Sequence, residues 1–391
     1  MPVSLVHRAM QLRQKLVDYG RENFSELYAQ TLEQLFPGRN QELNDDERLA
    51  FDTWFVLEYL LPDHRTILSH FLKNWEDGAD LVLAEQWHMV IQGIFQVRQL
   101  LPGNHFELFN LVNEVSYTVA GNPDAPLPLE KGEYIAAKII PFQDYHLFTG
   151  VIDRLPTRKK NELYELVAEI QLHNPRMAFI DNKERIAQAY RIQAEEYQDF
   201  VSFFGSAEVI LNGRELPEKM REFYHYRYFQ KRSQETGATI ARAFQEKYHQ
   251  LPPSPSFDFL PDLEAQENLG IIYDKTEGMV FLLEYGKFKE IFSRKDFKRI
   301  KNWRQVIQGY LEDPMISSLP FKLMAQAYPE NTQAVFKALL KVKQFSLDED
   351  FADLIKEHKP MEMMTHLTPA IIPSLVKSKT FLKSLKSGSK W

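Results

Sequence analysis

The sequence predicts an α+β protein, mainly helical, with a small antiparallel β-barrel-like segment in its N-terminal half and a C-terminal hairpin followed by helices. Three observations carry this. Apolar residues recur at three- and four-residue steps over residues 4–36 and 51–72, the period falls to two from about Gln92 to Pro156, and the helical period then returns as far as a proline-rich break at residues 250–262. A period near 3.6 gathers side chains on one helix face, and a period of two gathers them on one strand face. The segments implied are 1–91, helical; 92–156, a small barrel; 157–250, helical; and 251–391, a hairpin plus a helical, basic C-terminal region.

In chain order, Leu5, Ala9, Leu12, Leu16 and Tyr19, then Phe24, Tyr28, Leu32 and Leu35, mark two amphipathic helices, and "FPGRN" stops the second. "FDTWFVLEYLLPDHRTILSHFL", residues 51–72, is rich enough in aromatics to suggest a site. Phe51, Trp54, Phe55 and Tyr59 nonetheless fall at the spacing of a buried helical stripe, so Trp54 and Phe55 are expected in a core, with Pro62 closing the helix. Thr66 can cap the next one, whose apolar positions are Ile67, Leu68, Phe71 and Leu72.

"GIFQVRQ", "FELFNLVN", "VSYTVAG", "GEYIAAKIIPF" and "YHLFTGVID" are short, rich in β-branched and aromatic residues, and separated by "PGN", "GNPDAP" and "KG". So few strands in so short a stretch suit a small barrel better than a sandwich. "QLPPSPSFDFLPD" reads as a linker, and beyond it "GIIYD" and "MVFLLEY" flank "KTEG" as a hairpin.

Composition narrows the chemistry. The chain has 391 residues, 44% of them hydrophobic, enough for two or more cores. It has no cysteine, which excludes disulfides, thiolate zinc sites, iron–sulfur clusters and thiol nucleophiles. The first twenty residues mix charges throughout, unlike a signal peptide. The longest run without Asp, Glu, Lys or Arg is the 14 residues Met363–Val376, short of the roughly 20 a membrane helix needs. A soluble cytoplasmic protein with no membrane contact is expected.

Charge is uneven. Residues 1–160 and 161–277 each carry a net −7, whereas residues 278–391 carry +7. An acidic body with a basic C-terminal third can steer a polyanion, because local potential rather than mean charge attracts it.

"FDTWFVLEY" followed by a threonine-started helix, a strand-rich segment ending in "LFTG", then "FVSFFG" and "YDKTEG" occur in an order that resembles a group of uncharacterised bacterial proteins commonly carrying a C-terminal SEC-C zinc motif. The resemblance spans about residues 45–345 and implies no particular activity. The zinc motif needs clustered cysteines, which this chain lacks.

The sharpest enzymatic pattern is Asp153 in "GVIDR" followed by Glu169 and Gln171 in "VAEIQ", with "QAEEY" beyond it. It resembles the signature of PD-(D/E)xK-type nucleases, in which an Asp and an (Asp/Glu)-x-(Lys/Gln) pair converge on a divalent ion such as magnesium. That chemistry needs Glu169 and Gln171 on one face of a strand. Leu163, Leu166, Val167 and Ile170 instead have helical spacing, with Asn161 as a cap and Pro175 as a stop, and on a helix the pair diverges by about 200°. The sequence contains no HExxH zinc pair, glycine-rich phosphate loop or GxSxG elbow. No catalytic residue, metal site or cofactor is therefore assigned.

Two segments suit polyanions. "MREFYHYRYFQKR" (Met220–Arg232) interleaves aromatics with bases including Arg227, Lys231 and Arg232, although Met220, Phe223, Tyr224 and Tyr228 also fit a packed helix face. "KFKEIFSRKDFKRIKNWR" (Lys287–Arg304) carries eight basic residues, Lys295, Lys298, Arg299 and Lys301 among them, against two acidic ones. Its Phe288, Ile291, Phe292, Ile300 and Trp303 suggest an inward apolar face under a basic exterior. The tail "KSKTFLKSLKSGSKW" adds five lysines. The expected function is a non-enzymatic intracellular binding protein contacting nucleic acid or a ribonucleoprotein through the basic third. The alternatives are a divalent-metal nuclease and a protein-binding adaptor.

Overall fold

Helices α1 (Val3–Asn23), α2 (Ser25–Leu35), α3 (Asp45–Leu57), α4 (Ile67–Asn74) and α5 (Gly78–Glu85) fill the first stretch of helical period. They belong to a computed structural model that describes residues 3–38, 43–75, 78–122, 127–156, 160–233, 237–252, 257–359 and 368–372. Local chemistry sets their starts. Asn44 accepts from the Glu47 N–H while the Glu47 carboxylate accepts from the Asn44 N–H, a reciprocal capping box on α3. The Thr66 hydroxyl accepts from the Ser69 N–H and caps α4, as expected.

Ala9, Leu12, Leu16, Phe51, Phe55, Ile67 and Phe71 share one buried cluster. Two expectations need correction. Helix α3 ends at Leu57, well before Pro62, because a Leu60–Thr66 bridge has already turned the chain. Trp54 is only half-buried: the stripe's inward direction belongs to Phe51 and Phe55, and Trp54, one position away, stands at the edge of a surface cavity.

Strands β1 (Ile91–Leu101), β2 (His105–Asn110), β3 (Ser116–Ala120), β4 (Tyr134–Phe142), β5 (Tyr145–Phe148) and β6 (Asp153–Leu155) follow. They run in the order β1-β2-β3-β5-β4, with β4 paired back to β1 to close a five-stranded barrel and β6 added on β4. Every pairing is antiparallel except β3 with β5, so the barrel is mixed rather than purely antiparallel. An odd number of strands cannot alternate direction all the way round a closed ring, so one parallel pair is unavoidable. Phe95, Val97, Phe106, Leu108, Val119, Ile135 and Ile139 fill its interior. Ile140, Phe142 and Leu147 belong instead to the cluster of α1–α5, so the barrel wall is itself a floor for the helices. Helix α6 (Lys160–His173) packs Leu163 and Val167 against Ile94, Val112 and Tyr134.

The chain divides at Lys183/Glu184 into two compact units. The segment read as 157–250 is shared between them, and the boundaries at 91 and 156 fall inside the first. The second unit contains α7 (Lys183–Phe204), β7 (Glu208–Leu211), α8 (Leu216–His225), α9 (Ile240–Tyr248), α10 (Pro261–Glu264), β8 (Leu269–Asp274), β9 (Gly278–Leu282), α11 (Tyr285–Ser293), α12 (Trp303–Glu312), α13 (Leu319–Ala327), α14 (Pro329–Leu340) and α15 (Phe351–His358).

The expected hairpin is β8–β9, its turn held by the Asp274 carboxylate accepting from the Thr276 and Glu277 N–H groups at 2.7 and 2.9 Å. It gains a third strand, β7, from a segment read as helical. Both faces of the sheet are covered. Leu269, Ile271 and Tyr273 meet Phe200, Leu216 and Phe223 on one side, and Ile272 meets the cluster of α11–α15 on the other. Gly270 faces Tyr285 so closely that an added Cβ would lie 2.5 Å from the ring. Among the described residues, no helix is long and apolar enough to cross a membrane.

Candidate functional site

The nuclease triplet does not assemble. Asp153 is exposed on β6, while Glu169 and Gln171 lie on α6, as their spacing predicts. Glu169 faces solvent, whereas Gln171 is buried and donates its amide to the Val112 carbonyl at 2.7 Å. The i, i+2 relation that joins two side chains on a strand separates them here by about 200°. Among the described residues, no three His, Cys, Asp or Glu side chains are grouped so as to hold a metal ion.

The aromatic and basic segment is largely an internal brace. Phe223 is buried with Phe200, and Tyr224 stacks on Tyr228 with centroids 4.3 Å apart. The Arg227 guanidinium is buried, 2.8 Å from Glu196 and 3.2 Å from Asp199 on α7. Lys231 also pairs with Asp199. Burial pushes the Glu196 carboxyl above its ordinary range, and Arg227 opposes the shift. Arg227 therefore compensates buried carboxylates of its own fold, and Lys231 is committed to the same network. Arg232 alone of the three is exposed.

The second basic segment is arranged differently. Phe288, Ile291 and Phe292 of α11 and Trp303, Val306, Ile307 and Tyr310 of α12 are buried, which fixes both helices and leaves their connection on the surface. That connection, residues 294–302, is held down by Phe297, buried edge-on against Trp303 at 5.0 Å, and it reverses through Asn302 at φ 60°.

Arg294 is closed locally by Glu290 and Asp296 at 2.7 and 2.9 Å, and it holds the Asp296 carboxyl below its ordinary range. Arg299 reaches Asp296 only at 3.9 Å. Lys295, Lys298, Lys301 and Arg304 are exposed, and among the described residues none has a carboxylate within ion-pair distance. Lys298 and Arg304 also lie 6.0 and 5.0 Å from the rings of Phe297 and Trp303, which keep their stems near the core. The chain thus carries a short ridge of solvated cations on a rigid support. The lysine-rich tail, residues 377–391, lies outside the described residues.

The sequence reading missed two cavities in the first unit. One, of about 220 Å³, is lined by Trp54, Thr53, Gln92, Lys138, Thr149 and Asp153. Two of its polar side chains are already engaged: Lys138 pairs with Glu58, and the Thr53 hydroxyl donates to the Thr149 carbonyl at 2.9 Å. The other, of about 390 Å³, lies among α1, α3 and the barrel and has mostly apolar walls with Arg13, Asp46, Trp87 and Asn122 among them. Arg13 follows Leu12 out of the buried stripe of α1, and nothing in helical period marks it. No family model matches this chain, and no curated protein or solved structure matches it either.

Proposed function

We propose that the protein is a non-enzymatic binding protein that docks nucleic acid, alone or within a ribonucleoprotein, on the ridge formed by Lys295, Lys298, Arg299, Lys301 and Arg304. The observation that carries this reading is the exposure of Lys295, Lys298, Lys301 and Arg304 with no carboxylate partner among the described residues. In the interleaved segment, by contrast, Arg227 and Lys231 are drawn into ion pairs. Solvated cations release phosphate counterions on binding, which makes such contacts favourable and strongly dependent on salt. Arg227 and Lys231 have no part in this surface. The nuclease alternative is disfavoured by the divergence of Glu169 from Gln171.

The test is a titration of labelled single-stranded RNA and DNA at several salt concentrations, with the wild type and a variant carrying Lys295→Gln, Lys298→Gln, Lys301→Gln and Arg304→Gln. At about 0.7 in the slope of log K against log[salt] per phosphate contact, four lost contacts flatten the slope by roughly 3. Equal slopes for the two proteins, or no binding tighter than about 100 µM at low salt, would sink the reading. An adaptor would then be the better account, recognised by partner capture that survives nuclease treatment.

A further inference from the structure

We infer that the 390 Å³ cavity among α1, α3 and the barrel is a binding site for a small amphiphilic carboxylate, whose head group meets Arg13 and whose apolar body lies against Val6, Ala9 and Met10 of α1 and Ile140 and Leu147 of the barrel. This site is separate in chemistry from the basic ridge and does not depend on it.

The volume falls within the roughly 300–1,000 Å³ of small-molecule sites, and an apolar lining with few polar groups is their usual make-up. Those polar groups define the head. Arg13 donates through Nη1 to the carbonyls of Thr149 at 3.0 Å and Phe148 at 3.4 Å. A guanidinium has five donors, so Nε and Nη2 remain without a protein acceptor among the described residues. Burial lowers the Arg13 pKa, with no carboxylate opposing it. A partly desolvated guanidinium lacking its counter-ion favours an anion that fits its planar fork, and a carboxylate does so with two parallel hydrogen bonds.

Trp87, fully buried, adds an aromatic wall to the apolar part of the same cavity. Asp46, also in the lining and exposed, disfavours a dianion such as a phosphate monoester, which leaves a monoanion as the fitting head group.

The experiment uses the full chain with octanoate and 1-octanol, which share a tail and differ in the head, measured by calorimetry and by shift of the melting temperature. Octanoate should bind saturably and at least about tenfold more tightly than octanol, the ratio that one charge-assisted contact supplies. Arg13→Gln should erase that preference by weakening octanoate about tenfold with octanol unchanged, and Arg13→Lys should retain most of it. Because Arg13 also holds two backbone carbonyls, the cavity-filling variant Ala9→Leu provides a second arm. It keeps the guanidinium and should remove both ligands' binding while far-ultraviolet circular dichroism stays unchanged. No saturable octanoate binding up to about 1 mM, where affinity becomes negligible, overturns the inference, as does equal binding of octanoate and octanol by the wild type.

Discussion

Removing the Arg227 guanidinium should cost far more than removing any of the exposed cations. Its side chain is 10% exposed, and its partners Glu196 and Asp199 are 19% and 6% exposed. At an effective dielectric of about 20, two unit charges roughly 4 Å apart attract by about 4 kcal/mol. Arg227→Met leaves Glu196 without that cation and Asp199 with Lys231 alone. Breaking a buried pair from one side costs about 3 to 5 kcal/mol, and that is the loss expected at pH 7.5.

The loss should shrink in acid. Glu196 already has a raised pKa from burial, with Arg227 opposing the shift, so without Arg227 its pKa rises further. A carboxyl whose folded pKa lies above its unfolded value destabilises when ionised and recovers that stability as pH falls through the folded pKa. The gap between variant and wild type should therefore narrow as the pH is lowered from 7.5 and the Glu196 carboxyl takes up its proton. Adding Glu196→Gln should recover part of the loss at pH 7.5. Hydrogen exchange of α7 and α8 peptides measures this locally, which matters in a chain of two units with no single unfolding free energy. A loss under about 1 kcal/mol, or one independent of pH, refutes the reasoning that the pairing is buried and structural.

Phe55→Ala should cost about 3 to 5 kcal/mol, and Trp54→Ala about half as much because its indole is half-buried; urea denaturation in which Trp54→Ala costs the more would contradict that placement. Gly270→Ala should cost about 1 to 3 kcal/mol, since its Cβ would lie 2.5 Å from the Tyr285 ring; unchanged exchange protection across β8 would show that Tyr285 simply moves aside. Gln171→Leu should cost about 1 to 3 kcal/mol by removing the buried amide that donates to the Val112 carbonyl, whereas Glu169→Ala should be near neutral; comparable losses in thermal melts would mean that the two are not divided as α6 divides them.

What was legible in the sequence followed the rules of local period. Leu12, Leu16, Phe51, Phe55 and Phe71 lie where a 3.6-residue repeat places them, and "DKTEG" turns where an Asp side chain can take two N–H groups and a glycine can adopt φ +77°. The barrel was legible as a run of short strands, but its parallel β3–β5 pair was not, because that pair arises from counting strands around a ring rather than from any side chain. Strand β7 spans only Glu208–Leu211, too short for a period to emerge, and becomes a strand because β8 offers it a partner. Arg227 read as a surface cation because its acceptors sit on α7, a distance along the chain that no local pattern spans. Arg13 was equally silent: a lone arginine beside a buried stripe looks solvated until the barrel closes over it.

The residues of "FDTWFVLEY", "LFTG" and "YDKTEG" have structural duties in this fold. The Thr53 hydroxyl of "FDTWFVLEY" donates to the Thr149 carbonyl in "LFTG", the Thr149 hydroxyl donates to the Lys138 carbonyl, and Asp274 of "YDKTEG" holds the β8–β9 turn. Such residues identify an architecture and leave its use open. Function has to be sought where side chains do nothing for the fold. Lys295, Lys298, Lys301 and Arg304 come nearest to that position, because the buried Phe288, Phe292, Phe297 and Trp303 beneath them fix α11 and α12, and the cations add only the outer ring contacts of Lys298 and Arg304. Neutralising the four should therefore leave the helices intact, so that a flattened salt dependence can be assigned to lost phosphate contacts rather than to a damaged fold.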